Sequence, residues 1–271
     1  MMIREDYDTF GKFLDTIEQR PHLRGNYAKE DTHGSWYGCI DYQDALDLAI
    51  GGWKIEPDCL EMIKTEYGKD EFIGSRYKTV NAVAGYQPIV ANALMGHPKS
   101  MITGIRTPKR KKVLDIYYDC GFASYVKAKT IENIAIELGS SIISLEKSGY
   151  AVNLYTIFLN YKYTGDENGN LLVMKIKSSG QLFNLQKMLF MSAHPSMFRV
   201  FKFLWYETLP NGFDMTLSYG KSGYYAYDKN IQRYKKYLSQ TFPDAIHIVG
   251  AYLNEIKIHP MDEIKAALKC K

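Results

Sequence analysis

The fold of this chain is decided by a strand that begins a strand–helix–strand unit, Val113-Leu114-Asp115-Ile116-Tyr117-Tyr118. Apolar, β-branched and aromatic residues in such a short run predict a buried strand. A turn at Gly121 leads into a predicted helix over residues 125–147, and Gly149 ends it. A second strand follows over residues 150–161. Two strands joined by a helix predict parallel neighbours with a right-handed crossover.

The rest of this half of the chain extends the same architecture. The turn 166–170 carries Asn168-Gly169, a pair suited to positive φ, and it predicts a hairpin to a strand over 171–177. Further elements are predicted as helices over 183–191, 195–207 and 228–240, a strand over 245–253 and a short helix after Pro260. This order predicts a three-layer α/β core with a mixed sheet.

The stretch Asp119-Cys120-Gly121-Phe122-Ala123 follows the first strand of that core. Over roughly residues 110–271 the chain resembles a von Willebrand factor A-like domain, a family whose first strand ends in Asp-x-Ser-x-Ser and holds a divalent metal there. Gly121 and Ala123 stand where the two hydroxyl ligands belong. Because hard cations need several oxygen donors, the sequence predicts neither a metal nor a cofactor at this position.

The N-terminal part differs in composition, and three regions are predicted. Residues 1–75 form an acidic helical region, residues 76–111 an irregular basic connector rich in Gly and Pro, and residues 112–271 the α/β core domain. Helices are predicted over Asp6–Arg20, over Tyr42–Ile50 with Asp41 as the cap, and shortly after Pro57.

Charge divides the chain at the same boundary. Residues 1–75 hold 8 Lys and Arg against 16 Asp and Glu, whereas residues 76–271 hold 26 against 14 and carry 17 of the 22 tyrosines. Cations neutralise phosphates and flat rings stack on unpaired bases, so the basic, tyrosine-rich part is typical of a protein that binds single-stranded nucleic acid. The acidic part is expected to contact a protein or to compete for the basic surface.

The first basic cluster is a run of seven residues with five positive charges. No acidic residue lies between Glu71 and Asp115, and a loop of this kind can follow a phosphate backbone. A solvated loop before a strand is the other interpretation. The predicted contacts are Arg106, Lys109, Arg110, Lys111 and Lys112.

The second cluster lies on a Gly-flanked segment and on the helix after it. Lys229, Arg233 and Lys236 share one face of this helix, while Tyr234 lies on a second face that we assign to the core. The loop tyrosines stack on bases in one interpretation and fill a core as an extended strand in the other. The predicted contacts are Tyr219, Lys221, Tyr224, Tyr225, Tyr227, Lys229, Arg233, Lys235 and Lys236.

Three segments resemble a group of uncharacterised bacteriophage proteins: His33-Gly34-Ser35-Trp36-Tyr37-Gly38, Val83-Ala84-Gly85-Tyr86-Gln87-Pro88 and Ala193-His194-Pro195-Ser196-Met197-Phe198-Arg199. In size, basicity and aromatic content the chain is also similar to the single-stranded DNA-binding RNA polymerase cofactors of N4-like phages. These resemblances imply a role in phage transcription, with the acidic region contacting a polymerase.

The sequence excludes or disfavours several other classes of protein. Gly220-Lys221-Ser222 lacks the upstream glycine of a phosphate-binding loop, and no nucleophile motif or paired histidine set is present, so no enzyme is expected. The four cysteines have no metal-type spacing. The apolar runs are too short to span a membrane, and Met1–Asp6 has no signal core, so we expect a protein of the bacterial host cytoplasm.

We therefore predict a non-enzymatic single-stranded DNA-binding protein that acts as a phage transcription cofactor and recruits a polymerase. The alternative is a von Willebrand A-like protein-interaction module, working in a phage or host complex without binding nucleic acid.

Overall fold

A computed structural model describes residues 2–23, 25–30, 37–53, 77–106, 112–121, 126–161, 169–181, 184–210, 228–249 and 259–269. Its strands are β1 (Met2–Tyr7), β2 (Tyr77–Ala82), β3 (Gln87–Pro88), β4 (Met101–Arg106), β5 (Val113–Asp119), β6 (Ala151–Tyr161), β7 (Gly169–Lys177) and β8 (Ile246–Val249). Its helices are α1 (Phe10–Glu18), α2 (Tyr27–Glu30), α3 (Tyr42–Gly51), α4 (Val90–Leu94), α5 (Ala128–Lys147), α6 (Leu185–Ala193), α7 (Lys202–Thr208), α8 (Asp228–Thr241) and α9 (Pro260–Lys269), with a π-helical turn, Met197–Phe201, before α7.

The main sheet has the strand order β1-β7-β6-β5-β8. β5 runs parallel to β6 on one side and to β8 on the other, whereas β6 and β7 are antiparallel. β1 runs parallel to β7. The predicted mixed sheet is therefore confirmed.

The strand–helix–strand unit forms as predicted. β5, α5 and β6 each begin within about three residues of the predicted positions. Leu114, Ile116 and Tyr118 of β5 are fully buried on one face of the sheet, because alternate strand residues point the same way. The α5 helix crosses over this face and buries Ile131, among others, in the same cluster.

Helices cover both faces of the sheet. On the first face α1, α5, α6 and α7 enclose the larger apolar cluster, in which Trp205 is fully buried. On the second face Tyr234 and Leu238 of α8, and Phe242 directly after it, pack on β6, β7 and β8. The assignment of Tyr234 to the core is thus confirmed.

The N-terminal strand β1 was not predicted, and the predicted helix over Asp6–Arg20 begins too early. The helix starts at Phe10, because the Thr9 side chain caps it by accepting a hydrogen bond from the Lys12 backbone N–H. Successive side chains of β1 point alternately inward and outward, and those of Ile3, Glu5 and Tyr7 point inward. The charge on inward-facing Glu5 conceals this alternation.

Helix α1 packs on β1 and β7 of the sheet, whereas α3 packs on α6 and on the π-helical turn. Phe13, Ile17 and Ala45 of these two helices belong to the same apolar cluster as β5. Asp41 caps α3 as predicted, since its carboxylate accepts from the Asp44 backbone N–H at 2.8 Å. The predicted helix after Pro57 lies outside the described residues. The division of the chain into regions 1–75, 76–111 and 112–271 follows composition and stays a prediction as a division into domains.

Residues 77–106 form a small antiparallel sheet in the order β2-β4-β3, which we call the arm. The prediction of an irregular connector is wrong for these residues: β2 pairs with β4 from Tyr77 opposite Arg106 to Ala82 opposite Met101. Among the described residues, the strands of the arm pack mainly on one another. Their contacts with the elements of the main sheet are far fewer.

The remaining predicted elements are present near their expected bounds, with α6 and α7 on either side of His194-Pro195. β8 forms within the predicted strand 245–253, of which residues 250–253 lie outside the described residues. Among the helices of the described ranges, none combines the length and the apolar character that a membrane crossing needs.

Candidate functional site

The arm is basic and has no acidic residue. Its charged residues are Lys78, Lys99 and Arg106, and the next acidic residue along the chain is Asp115. Lys99 is exposed, and the ring of Tyr86 is 67% exposed. The backbone N–H of Tyr86 donates to the Ile102 carbonyl at 3.0 Å, so the ring stands on an ordered strand pair. A cation and an exposed aromatic ring are the two kinds of group that bind single-stranded nucleic acid, and the arm carries both.

The predicted first cluster continues directly from the arm. Arg106 is the last residue of β4, and its side chain lies outside the described residues, as do Lys109, Arg110 and Lys111. Lys112 is exposed, and its carbonyl accepts from the Ala151 N–H at 3.0 Å, which fixes the backbone at the amino end of β5. The cluster therefore joins the arm to the amino end of β5.

Much of the second cluster lies outside the described residues: Tyr219, Lys221, Tyr224, Tyr225 and Tyr227 entirely, and Lys229 and Arg233 for their side chains. Of the remaining two, Lys236 is exposed on α8. Lys235 forms an ion pair with Glu263 of α9 at 3.2 Å. This pair partly neutralises Lys235, so Lys236 is the better placed of the two for a phosphate.

Asp119 lies at the carboxyl end of β5, between β6 and β8, and is buried. Its carboxylate accepts from the Gly121 N–H at 2.9 Å and from the Tyr234 hydroxyl at 2.5 Å. Both carboxylate oxygens are thus engaged by the protein. Within the described residues no group of three His, Cys, Asp or Glu side chains is arranged to hold a metal ion.

Two reactive side-chain types lie beside Asp119. Burial raises the pKa of the Cys120 thiol to about 12, and Cys120 Sγ lies 3.0 Å from Thr156 Oγ1. A thiol with such a pKa remains protonated near neutral pH and is not a nucleophile. Burial lowers the pKa of Lys202, an effect that Asp119 opposes, and its Nζ lies over the ring of Phe158 at 5.4 Å. This arrangement is that of an inner polar cluster in the core.

The described members of the two predicted basic clusters lie near opposite ends of β5. Lys112 precedes the amino end, whereas Tyr234, next to Lys235 and Lys236, contacts Asp119 at the carboxyl end. Seven strand residues span about 20 Å. Among the described members, Lys112 and Lys236 therefore belong to different ends of this strand.

Tyr86 was missed as a candidate, because the Gly and Pro residues around it predicted a loop. The signal that identifies it is the lack of acidic residues over the whole arm, together with an aromatic ring in the centre of that stretch.

A family model matches residues 2–259, and its description is "Domain of unknown function (DUF7192)". No curated protein and no solved structure matches the chain.

Proposed function

The chain belongs to this family of unknown function, and we propose that it binds single-stranded nucleic acid, DNA in the first place, without being an enzyme. The observation that carries the proposal is the arm with its continuation to Lys112. Residues 77–112 hold seven Lys and Arg and no Asp or Glu.

The charge of this stretch is the first support. Each phosphate that a Lys or Arg neutralises releases a counterion, and this release supplies most of the affinity of sequence-independent binding. Lys99 and Lys112 are exposed, so both can meet a phosphate without a change in the fold.

Aromatic stacking is the second support. The exposed ring of Tyr86 offers a face to an unpaired base, and a stacked base contributes about 1–3 kcal/mol. In a duplex the bases are already stacked on each other, so this contribution favours single strands.

The biological setting is part of the same proposal. We infer a phage transcription cofactor of the bacterial host cytoplasm, whose acidic N-terminal region contacts an RNA polymerase. The support is the resemblance to phage proteins and the charge difference between the two parts of the chain.

A salt titration of binding tests the proposal. The logarithm of the affinity for a single-stranded oligonucleotide is expected to fall by about 0.7 per neutralised phosphate for each decade of salt. Replacing Lys109, Arg110 and Lys111 by Ala is expected to reduce the slope by about 2. Ala at the exposed residues Lys147 and Lys265 of the core helices is the matched control and should leave the slope unchanged. A flat titration contradicts the proposal.

The second candidate is a von Willebrand A-like protein-interaction module. The observation in its favour is the position of Asp119, at the carboxyl end of a parallel strand flanked by parallel strands and with helices on both faces of the sheet. Ligands of open α/β sheets bind at such ends. Partner binding that needs a divalent metal and is lost in Asp119→Ala would favour this candidate, whereas the leading proposal expects no metal dependence.

A further inference from the structure

Large exposed apolar side chains gather in two separate stretches of the described chain. One stretch is the arm, with Val83, Tyr86, Val90, Leu94 and Met95. The other lies around the N-terminal helices, with Leu23, Tyr27, Ile40 and Ile50. Contiguous exposed apolar patches mark interaction surfaces more often than isolated residues do.

The N-terminal stretch lies on or next to three helices that contact one another, and we call their exposed side the acidic face. The Tyr42 hydroxyl of α3 donates to Glu18 of α1 at 3.2 Å, and Lys29 of α2 lies 3.7 Å from the same carboxylate. Lys29 also lies over the Tyr42 ring at 5.0 Å. These contacts tie three helices together. The exposed carboxylates of the acidic face are Asp15, Glu18, Glu30, Asp41 and Asp47.

The arm and the acidic face are complementary. The arm combines exposed apolar side chains with the exposed cation Lys99 and has no carboxylate, whereas the acidic face combines exposed apolar side chains with several exposed carboxylates. Opposite charge around apolar contacts is the pattern that selects a partner at an interface.

We propose that the arm of one copy docks on the acidic face of a second copy. A second copy is the occupant because it supplies both complementary surfaces in equal amounts. A reciprocal exchange around a two-fold axis buries both pairs of surfaces, whereas a one-way contact leaves an open end on each copy and continues into a chain of subunits. The reciprocal dimer is therefore the arrangement that we assign.

This inference goes beyond the proposed function and does not rest on it. It has one consequence for that function: an arm docked on a second copy has its cations facing carboxylates. Self-association and binding of nucleic acid through the arm therefore exclude each other.

Sedimentation velocity of the full chain without nucleic acid, over a wide concentration range, tests the dimer. We expect a monomer–dimer equilibrium that Leu94→Ser weakens by about tenfold, since this side chain is 84% exposed in the single copy and contributes little to its folding. Val113→Ser is the matched control, because Val113 is exposed but lies in neither surface. A monomer at every concentration, or a dimer that Leu94→Ser leaves unchanged, would overturn the proposal.

A charge exchange tests which surfaces meet. Asp47→Lys on the acidic face and Lys99→Glu on the arm should each weaken the dimer about tenfold, because each places like charges together. The two substitutions combined should restore it. Asp262→Lys and Lys265→Glu, on exposed positions of α9, are the controls and should have no effect. Failure of the combined variant to recover would show that these surfaces do not pair.

Discussion

His194 is a buried histidine between α6 and the π-helical turn. Its ring stacks on Phe190 at 5.1 Å and meets the edge of Trp53 at 4.9 Å, and its Nδ1 accepts from the Ser196 N–H. Burial lowers its pKa from 6.5 to about 4, an effect that Asp44 only partly opposes. The ring is therefore neutral in the folded protein at neutral pH.

This pKa predicts a loss of stability in mild acid. Between pH 6.5 and about pH 4 the unfolded chain binds the proton and the folded protein does not, so the free energy of unfolding falls as the pH falls through this range. The full effect is on the order of 3 kcal/mol. Urea unfolding at several pH values measures it. His194→Asn, which keeps an acceptor near Nδ1, should flatten the pH dependence, whereas the exposed His97→Asn should not. An unchanged slope in His194→Asn would contradict the assignment.

Glu5 joins the N-terminal strand to the core. Its carboxylate accepts from Trp205 Nε1 at 2.9 Å, from Arg20 Nη1 at 2.8 Å and from the Tyr7 hydroxyl at 2.6 Å. Glu5→Ala leaves the indole N–H of a fully buried Trp205 without this acceptor, so we expect a loss of about 3 kcal/mol in urea unfolding. Asp8→Ala removes an exposed carboxylate nearby and should cost less than about 0.5 kcal/mol. If Glu5→Ala lowers the free energy of unfolding as little as Asp8→Ala does, the hydrogen bonds of Glu5 do not stabilise the fold.

Residue roles were predictable from the sequence where periodicity decides them. Tyr234 was assigned to the core because it shares a helix face with Leu238, and both are buried. The partners of Glu5 were not predictable, since Trp205 lies 200 residues away and only the folded sheet brings them together.

Among the secondary-structure elements, the strand–helix–strand unit was predictable. Its strands are apolar, its helix is long, and glycines lie in the turns before and after that helix. β1 and the arm were not predictable. In β1 a charged residue faces inward, and in the arm β3 contains Pro88 and β4 contains Gly104. The arm strands also bury no described side chain fully, so they lack the apolar alternation that identifies a half-buried strand.

Gly85 provides a test of the arm as an ordered element. A Cβ at this position would lie 2.0 Å from the Ile102 carbonyl oxygen, which accepts the Tyr86 N–H. Gly85→Ala should therefore separate this part of the arm and speed hydrogen exchange at Tyr86. Global stability should stay unchanged, because the arm packs mainly on itself. Ala93→Ser, at an exposed arm position, is the control. Unchanged exchange at Tyr86 in Gly85→Ala would contradict the arm geometry.

In the whole molecule, the acidic and the basic residues of the two parts of the chain lie on different elements. Acidic residues surround the N-terminal helices, while the arm and its continuation to Lys112 hold cations without any carboxylate. The second group of cations, around Lys236, belongs to the other end of β5. The charge difference itself was visible in the sequence. The location of Lys112 and Lys236 near opposite ends of β5, a strand about 20 Å long, was not visible there, because it depends on the direction of β5 and on the packing of α8.

We propose above that this chain binds single-stranded nucleic acid through the arm and the basic residues after it. The most direct measurement is an electrophoretic shift series with single-stranded DNA, duplex DNA and RNA of equal length, each at two salt concentrations. We expect single-stranded DNA to be bound more tightly than the duplex, and higher salt to weaken the complex. Equal or tighter binding of the duplex, or no shift with any of the three, would contradict the proposal.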